Sequence, residues 1–313
     1  MEGRLQVFAG NSHPRLAKEI MSSLEAPLGR AIIGEWKNGE TRVKLDENVR
    51  GSDVFVIQSI CNPVDHHLME LLLIIDALRR ASADRITAVI PYYGYAKQEK
   101  KTSGREPISA KLVANLIVTA GAHRVLTLDL HAPAIEGFFD IPVDHLRATP
   151  LLARRWRQVM SGADVVAVSP DAGGVARADD FRARVNAPLA IISKRHPHPD
   201  ATEVLEMVGD VDGKTCVIID DMISTGGTLV EAEQLLKARG AADIHAAATH
   251  GIFAGDAISL MDDSPISKVF ITDTIPLPEG QAPAMLETIT VAPLLAEAIM
   301  RIHKDLSVSA LFH

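Results

Sequence analysis

Short apolar runs alternate with stretches of helical period along almost the whole chain, from Leu5 onward. A short run of β-branched apolar residues fits a strand buried on both faces of a parallel sheet, whereas apolar residues at every third or fourth position fit an amphipathic helix. The pattern predicts two series of such elements. The first has strands at 54–58, 86–91 and 125–129 and helices at 66–82 and 108–120. The second has helices at 151–160, 175–185 and 229–238, strands at 165–168, 189–192, 217–219, 244–248 and 269–271, and a closing helix at 294–303.

The repeated order of strand and helix predicts parallel sheets with helices on both faces. A polar segment flanked by prolines, at 142–150, separates the two series, and we place a domain boundary within it. The 313 residues give room for two domains of about 150 residues, each large enough for its own core. The expected fold class is α/β, with two doubly wound parallel-sheet domains at 1–147 and 148–313.

Composition narrows the class of protein. Hydrophobic residues make up 47% and charged residues 23% of the chain, as in ordinary globular proteins. The net charge of −8 and the pI near 5.8 argue against nucleic acid or an acidic membrane surface as the main partner. The most apolar run, 68–78, is interrupted by Glu70 and Asp76, and the N-terminal residues lack the pattern of a secretion signal. Cys61 and Cys216 lie far apart in apolar surroundings, which predicts buried free thiols, and we expect a cytoplasmic protein without membrane association.

One stretch, 215–240, combines a strand, a polar loop and a helix. The apolar run from Cys216 is followed by Asp220 and Asp221, then by a glycine loop at 223–228 and by helical spacing from Leu229. This order brings loop N–H groups and the positive end of a helix dipole together, which suits a phosphate group. Paired carboxylates can accept hydrogen bonds from sugar hydroxyls or face a bound Mg²⁺. The stretch therefore predicts a site for a phosphorylated sugar.

An ordinary strand–helix connection with a Gly-rich turn is the alternative, and it would be the better interpretation of a lone glycine pair. Two adjacent aspartates followed by the sequence STGGT form a much more specific combination. Five loop residues then become candidate phosphate contacts: Ser224, Thr225, Gly226, Gly227 and Thr228.

Four other segments carry candidate chemistry. The basic loop GYAKQEKKTSGRE could meet a nucleoside triphosphate, and a solvated basic loop is an equally good interpretation of its composition. The turn EWKNGE could hold a purine beside Trp36, or it could be an exposed hairpin turn. His131 and Asp171 follow predicted strands, where parallel sheets bind ligands, although a lone histidine is more often structural. Lys194 and Arg195 follow another strand, a place where basic pairs on surfaces are common.

The segment DDMISTGGT resembles the phosphoribosyl-pyrophosphate loop shared by phosphoribosyltransferases and ribose-phosphate pyrophosphokinases. Further segments similar to the pyrophosphokinases run nearly from end to end of the chain, which implies phosphoribosyltransferase-like domains. They are FAGNSHPRLA, NGE, QSICNP, LMELLLIIDALRRASADRITAVIPYYGYAKQ, LDLHAPAIEGFFDIPVDHL, VSPDAGGVARA, ISKRHP and DTIPLP.

The resemblance implies that the pyrophosphoryl group of Mg·ATP is transferred to the C1 hydroxyl of ribose 5-phosphate, giving phosphoribosyl pyrophosphate and AMP. It also implies a homo-oligomer, a hexamer in the family, with the EWKNGE turn reaching a neighbouring subunit's adenine site. Matched residue by residue, it implies catalytic Lys194 and Arg195, with His131 and Asp171 as Mg²⁺ positions. The implied ATP-binding residues are Trp36, Asn38, Glu40, Lys97 and Gln98. The implied ribose 5-phosphate-binding residues are His196, Asp220, Asp221, Ser224, Thr225, Gly226, Gly227 and Thr228.

The chain departs from the family's usual residues at ligand-facing positions. The family more often has Phe, Asp, Arg, Arg and Asp where this chain has Trp36, Asn38, Lys97, His196 and Ser224. Three of these departures, Lys97, His196 and Ser224, motivate an alternative, a poorly catalytic regulatory homologue that assembles with an active pyrophosphokinase. The retained Lys194, His131 and Asp171 argue against it. A phosphoribosyltransferase is a weaker alternative, because such enzymes usually need one such domain and no ATP-type basic loop.

Overall fold

The computed structural model describes residues 3–160, 164–195, 204–277 and 283–312. They form two compact units. The first comprises Met1–Arg147, Thr274–Pro276 and Thr290–His313, and the second comprises Ala148–Asp273 and Leu277–Ile289. Both units have the α/β architecture that the sequence pattern predicts.

The first unit is built on a parallel sheet of five strands, in the order β1-β4-β5-β6-β7. A separate antiparallel hairpin, β2 with β3, branches from the chain between β1 and β4. A 3₁₀ helix at Pro133–Phe138 precedes β7. The elements are β1 (Leu5–Ala9), α1 (Pro14–Leu24), β2 (Ala31–Glu35), β3 (Thr41–Leu45), β4 (Asp53–Ile57), α2 (Val64–Arg80), β5 (Arg85–Ile90), α3 (Ser109–Ala120), β6 (Arg124–Leu128) and β7 (Val143–Leu146).

The second unit has a sheet of seven strands in the order β10-β9-β8-β11-β12-β13-β14, parallel except for the antiparallel pair β9 and β10. Its central strands are buried along nearly their whole length, as their continuous apolar sequences require. The elements are α4 (Thr149–Val159), β8 (Val165–Ser169), α5 (Val175–Val185), β9 (Leu189–Arg195), β10 (Val204–Val208), β11 (Thr215–Ile223), α6 (Gly227–Ala238), β12 (Asp243–Gly251), α7 (Ala257–Asp262), β13 (Lys268–Thr272) and β14 (Leu286–Ile289).

Every predicted strand and helix is present, with ends that move by a few residues. The expected end of β11 at its two aspartates is wrong, because the strand stays paired with β12 as far as Met222 and Ile223. The pattern did not predict β10, an edge strand whose described side chains alternate between partly buried and exposed. Cys61 and Cys216 are buried free thiols, as expected. No helix in the described ranges combines the length and apolar character that a membrane crossing needs.

The last helix, α8 (Ala292–His303), belongs to the first unit, although the sequence boundary assigned everything after residue 147 to the second domain. It packs against α1, and Thr290 Oγ1 donates a hydrogen bond of 2.9 Å to Glu19 Oε2 at the same place. Both helices bury an apolar face, α1 with Leu16 and Ile20 among others. A boundary drawn from the order of the elements misses this return because it depends on a partner far away in the chain.

A buried ion-pair cluster ties α8 to the amino ends of β4 and β5. Asp53 is 1% exposed, and its two carboxylate oxygens accept hydrogen bonds of 2.7 and 2.6 Å from Arg85. Arg85 also donates to the carbonyl of Ile302 at 2.9 Å and pairs with Asp305 at 3.4 Å. His303 Nδ1 lies 2.8 Å from Asp53 Oδ2. The carboxylate therefore holds the end of the C-terminal helix against the sheet.

Asp53→Asn should lower the free energy of unfolding by about 3–5 kcal/mol, because it removes the buried charge partner of the largely buried Arg85 guanidinium and leaves only the longer pair with the exposed Asp305. Asp76→Asn is the matched control. It removes the same charge from an exposed i,i+4 pair with Arg80, and should cost at most about 1 kcal/mol. Urea unfolding followed by circular dichroism measures both, and equal costs would contradict this role of Asp53.

A buried histidine, His245, lies near the start of β12 in the second unit. It is 2% exposed, its Nε2 lies 2.9 Å from Asp243 Oδ2, and its ring meets Trp156 edge-on with centroids 5.2 Å apart. Burial lowers the pKa of His245, and Lys268 adds to the lowering while Asp243 opposes it. The folded protein therefore keeps this imidazole neutral at a pH at which a solvated histidine would be charged.

Because the pKa of His245 is lower in the folded state than its unfolded value of about 6.5, the unfolded chain binds the proton first as the pH falls. Stability from this group is present above about pH 6.5 and is lost below it. The free energy of unfolding, measured in urea between about pH 7.5 and 5.5, should therefore fall less steeply in His245→Gln than in the wild type. Parallel curves for the two proteins would show that His245 does not contribute.

Candidate active site

Two neighbouring parallel strands of the second unit, β8 and β11, end at the same edge of the sheet. Their register runs from Thr215 opposite Val165 to Ile218 opposite Val168. The residues that follow Val168 and Ile218 are therefore neighbours in space. This edge brings Asp171, after β8, close to Asp220 and Asp221 in the last part of β11.

The loop after β8 is held by its own polar groups. Ser169 Oγ donates to the carbonyl of Asp171 at 2.7 Å, and the Gly174 N–H donates to Asp171 Oδ1 at 2.8 Å. A Cβ on Gly174 would lie 3.0 Å from Ser169 Oγ, so a side chain there would press on the loop. Asp171 is exposed at the tip of this compact turn, directly before α5.

The two aspartates of β11 share one cation. Arg177 Nη1, on the first turn of α5, lies 3.6 Å from an oxygen of Asp220 and 3.6 Å from an oxygen of Asp221. The Asp221 N–H donates to Asp220 Oδ1 at 2.8 Å. Burial raises the pKa of Asp220, the neighbouring Asp221 raises it further, and Arg177 opposes both effects. The positive charge of Arg177 therefore offsets part of the negative charge of this carboxylate pair.

The glycine loop follows directly. The Ala254 N–H donates to the carbonyl of Ser224 at 2.9 Å, which fixes the start of the loop. Gly226 has a φ of +81° and is the N-cap of α6, where it brings no side chain to cover the first N–H groups of the helix. Thr225 and Thr228 are exposed beside it. A helix N-terminus with uncovered N–H groups and flanking hydroxyls can bind an anion.

His131 lies in the first unit, after β6, in a turn held by a second histidine. The Leu130 N–H donates to Nε2 of buried His145 at 2.8 Å, and His145 Nδ1 meets Glu136 Oε1. Since Nε2 accepts, the ring proton lies on Nδ1 and is donated to the carboxylate. Burial lowers the pKa of His145, and the charge of Arg147 lowers it further, which favours this neutral form.

The three residues expected around the adenine, Trp36, Asn38 and Glu40, share the turn between β2 and β3. Two backbone hydrogen bonds close this turn, from Trp36 N–H to Glu40 at 2.8 Å and from Gly39 N–H to Trp36 at 2.9 Å. Trp36 is 52% exposed, and the Arg42 guanidinium lies 4.6 Å from its ring centroid. The turn thus presents an aromatic surface beside a cation.

Lys97 and Gln98 lie elsewhere in the first unit, on the loop between β5 and α3. Both are exposed, and Gln98 Oε1 accepts a hydrogen bond from Ser109 Oγ. Farther along the loop, Glu106 accepts hydrogen bonds from Ser103 and Thr102, which lower its pKa to about 2. The basic loop is therefore shaped by a carboxylate that stays ionised.

Lys194 and Arg195 form the last two residues of β9, where their backbones pair with Leu205 and Val204 of β10. His196 lies outside the residues that the structure describes.

No group of three or more His, Cys, Asp or Glu side chains that could hold a metal ion occurs in the described ranges. His131 and Asp171 belong to different units.

Comparison with known proteins identifies the family. The model for the N-terminal domain of ribose phosphate pyrophosphokinase matches residues 5–121, and that for the phosphoribosyl synthetase-associated domain matches residues 179–313. A ribose-phosphate pyrophosphokinase of Caldanaerobacter subterraneus subsp. tengcongensis is 54% identical over 98% of each chain, and one of Clostridium perfringens is 50% identical over 98% of this chain and 97% of the relative. The chain belongs to the ribose-phosphate pyrophosphokinase family.

A solved structure of the same family agrees with the fold. The crystal structure of phosphoribosylpyrophosphate synthetase from Mycobacterium smegmatis has a TM-score of 0.92 and 44% sequence identity, over 96% of this chain and 99% of that one. The family resemblance drawn from the sequence motifs is thus confirmed over nearly the whole chain.

Two polar residues of this pyrophosphokinase-family chain escaped sequence reasoning. Arg177 sits inside the matched segment VSPDAGGVARA, yet only the parallel pairing of β8 with β11 shows that it faces Asp220 and Asp221. His145 reads as an ordinary residue of a short strand, and its contact with Leu130 depends on the pairing of β6 with β7. The only signal in the sequence was that each lies close to a candidate residue.

Proposed function

We propose that the protein transfers the β,γ-pyrophosphoryl group of Mg·ATP to the C1 hydroxyl of ribose 5-phosphate, giving phosphoribosyl pyrophosphate and AMP for nucleotide biosynthesis. The observation that carries this proposal is the carboxylate pair Asp220 and Asp221, directly followed by an uncapped helix N-terminus at Gly226. Carboxylates that accept hydrogen bonds from sugar hydroxyls, followed a few residues later by an anion site, suit a sugar phosphate. Membership of the pyrophosphokinase family supports the choice of reaction.

In this proposal, loop residues Ser224 to Thr228 hold the 5-phosphate, and Asp220 and Asp221 accept hydrogen bonds from the ribose hydroxyls. The C1 oxygen attacks the β-phosphorus, the bond between that phosphorus and the bridging oxygen of AMP breaks, and the hydroxyl proton passes to solvent. Catalysis of this kind is mainly positioning and electrostatic stabilisation. Lys194 and Arg195, with His196 next to them, would offset the charge that develops on the transferred group.

His131 and Asp171 are the residues that would hold Mg²⁺. Each of these side chains supplies a single ligand, and Mg²⁺ prefers to keep water and phosphate oxygens as most of its ligands. Asp171 fits this role because it is exposed at a turn held by Ser169 and Gly174. Bound Mg²⁺ would neutralise charge on the phosphates of ATP.

The exposed face of Trp36 would stack on adenine, with Asn38 and Glu40 reading its edge, while Lys97 and Gln98 would contact the nucleotide. Exposure of this turn supports a further part of the proposal, that it completes a site on a neighbouring subunit of a homo-oligomer, with a hexamer as the family state. With substrates of this kind, the proposed location is the cytoplasm, and the proposal includes no nucleic-acid or membrane partner.

The experiment that tests the proposal is release of AMP from ATP, measured with and without ribose 5-phosphate. We expect release that depends on both substrates. Tight binding of both without turnover would instead favour the poorly catalytic regulatory homologue that Lys97, His196 and Ser224 suggest. Release of pyrophosphate from phosphoribosyl pyrophosphate in the presence of a base, without use of ATP, would favour a phosphoribosyltransferase.

Lys194→Ala should lower kcat at least about a hundredfold with little change in KM for either substrate, because a charge that acts on the transferring group stabilises the transition state. Lys214→Ala is the control. It removes the same charge from the same unit, at a surface pair with Asp210. An effect of Lys194→Ala confined to KM for ATP would exclude the catalytic role.

Gly226→Ala should weaken ribose 5-phosphate binding beyond its effect on stability. Gly226 and the remote Gly213 both have positive φ, +81° and +67°, so an alanine at either costs about 1–2 kcal/mol of stability. Only at Gly226 does the new methyl group lie beside the proposed phosphate loop. Calorimetric titration with ribose 5-phosphate should therefore separate the two variants, and equal affinities would remove Gly226 from the site.

A further inference from the structure

One guanidinium serves two carboxylates at the edge of β11. Arg177 Nη1 is 3.6 Å from Asp220 Oδ1 and also 3.6 Å from Asp221 Oδ1. The three side chains are 15%, 28% and 5% exposed, so water screens their charges incompletely. Adjacent carboxylates in such surroundings repel each other, and a permanent positive charge between them reduces that repulsion.

The distance of 3.6 Å also matters. Charge-assisted hydrogen bonds between a guanidinium and a carboxylate are about 2.7–2.9 Å long. Arg177 therefore attracts both carboxylates without the short hydrogen bonds that would saturate their oxygens. The attraction therefore acts through charge at this distance and draws both carboxylates toward the same guanidinium.

The position of Arg177 in α5 is unfavourable for the helix itself. It lies in the first turn, where the helix dipole disfavours a cation, and this turn contains no acidic residue. The other arginines of the helix, Arg182 and Arg184, lie in its last turn, where the dipole favours them. Stability of α5 therefore does not explain a positive charge at this position, whereas the two carboxylates of β11 do.

We propose that Arg177 is a positioning residue that holds Asp220 and Asp221 together and aligned to accept hydrogen bonds from the ribose hydroxyls of ribose 5-phosphate. This inference rests on the proposed function. It adds Arg177, from the helix that follows β8, to the residues of β11 that would bind the sugar. The residues proposed to contact the adenine and the nucleotide belong to the first unit, so removal of Arg177 should separate the two substrates.

The test compares the full-length wild type with Arg177→Met, Arg177→Lys and Arg182→Met. Methionine keeps the length of the side chain and removes its charge, lysine restores the charge, and Arg182→Met removes a charge from the exposed face of the same helix. Calorimetry with ribose 5-phosphate alone, and steady-state KM values for ribose 5-phosphate and ATP, are the readouts.

We expect Arg177→Met to weaken ribose 5-phosphate binding about tenfold or more, with KM for ATP unchanged, and Arg177→Lys to recover part of that loss. Arg182→Met should match the wild type. Wild-type affinity in Arg177→Met, equal losses for both substrates, or a lysine variant no better than the methionine variant would each overturn the proposal.

Should Arg177→Met fail to fold, Arg177→Lys decides alone. An affinity for ribose 5-phosphate weaker than that of the wild type, with unchanged KM for ATP, supports the role, and wild-type affinity overturns it. A wild-type protein that neither binds ribose 5-phosphate nor releases AMP overturns the proposed function as well. Wild-type turnover with an unaffected Arg177→Met variant overturns only the role of Arg177.

Discussion

Parallel strands covered on both faces are largely apolar, and each polar group that such a strand buries needs a partner. In β11 the apolar run ends at Ile219, yet the strand stays hydrogen-bonded to β12 through Ile223. Asp220 and Asp221 are therefore held by a sheet rather than by a loop. Groups fixed on a strand keep their geometry more accurately than groups on a connection. The glycine loop begins only after this rigid segment has positioned both carboxylates.

The first unit also contains a buried carboxylate that needs hydrogen-bond partners. Glu70 on α2 is fully buried, and it accepts hydrogen bonds of 2.6 and 2.7 Å from the N–H and side-chain amide of Asn11 and of 2.7 Å from Gln58 Nε2. Several strong donors compensate the cost of burying this carboxylate. Asn11 Nδ2 also lies 3.3 Å from the carbonyl of Ile33 in β2. The hairpin that carries Trp36 is thereby linked, through Asn11, to the buried carboxyl group of Glu70.

Local pattern was enough to predict the buried strands and the long helices, because their periodicity depends only on neighbouring residues. It was also enough to propose the sugar-phosphate loop, since Asp220 to Thr228 are contiguous. It could not predict that α8 returns to the first unit, or that β10 pairs with β9, because these contacts join segments whose own sequences do not name their partners. Arg177 belongs to this second group: its role depends on the register of β8 against β11.

Charge balance gives a physical meaning to Ser224, which stands where the family more often has Asp. In the proposed site, the carboxyl groups of Asp220 and Asp221 and the guanidinium of Arg177 lie beside the loop that would bind a phosphate. A further carboxylate at 224 would repel that phosphate and would compete with it for the positive end of the helix dipole of α6. Serine keeps a donor and an acceptor without this repulsion, while its carbonyl stays fixed by Ala254. In the proposed site, serine at 224 would therefore favour binding of an anion by this loop, with Arg177 as the cation beside the remaining carboxyl pair.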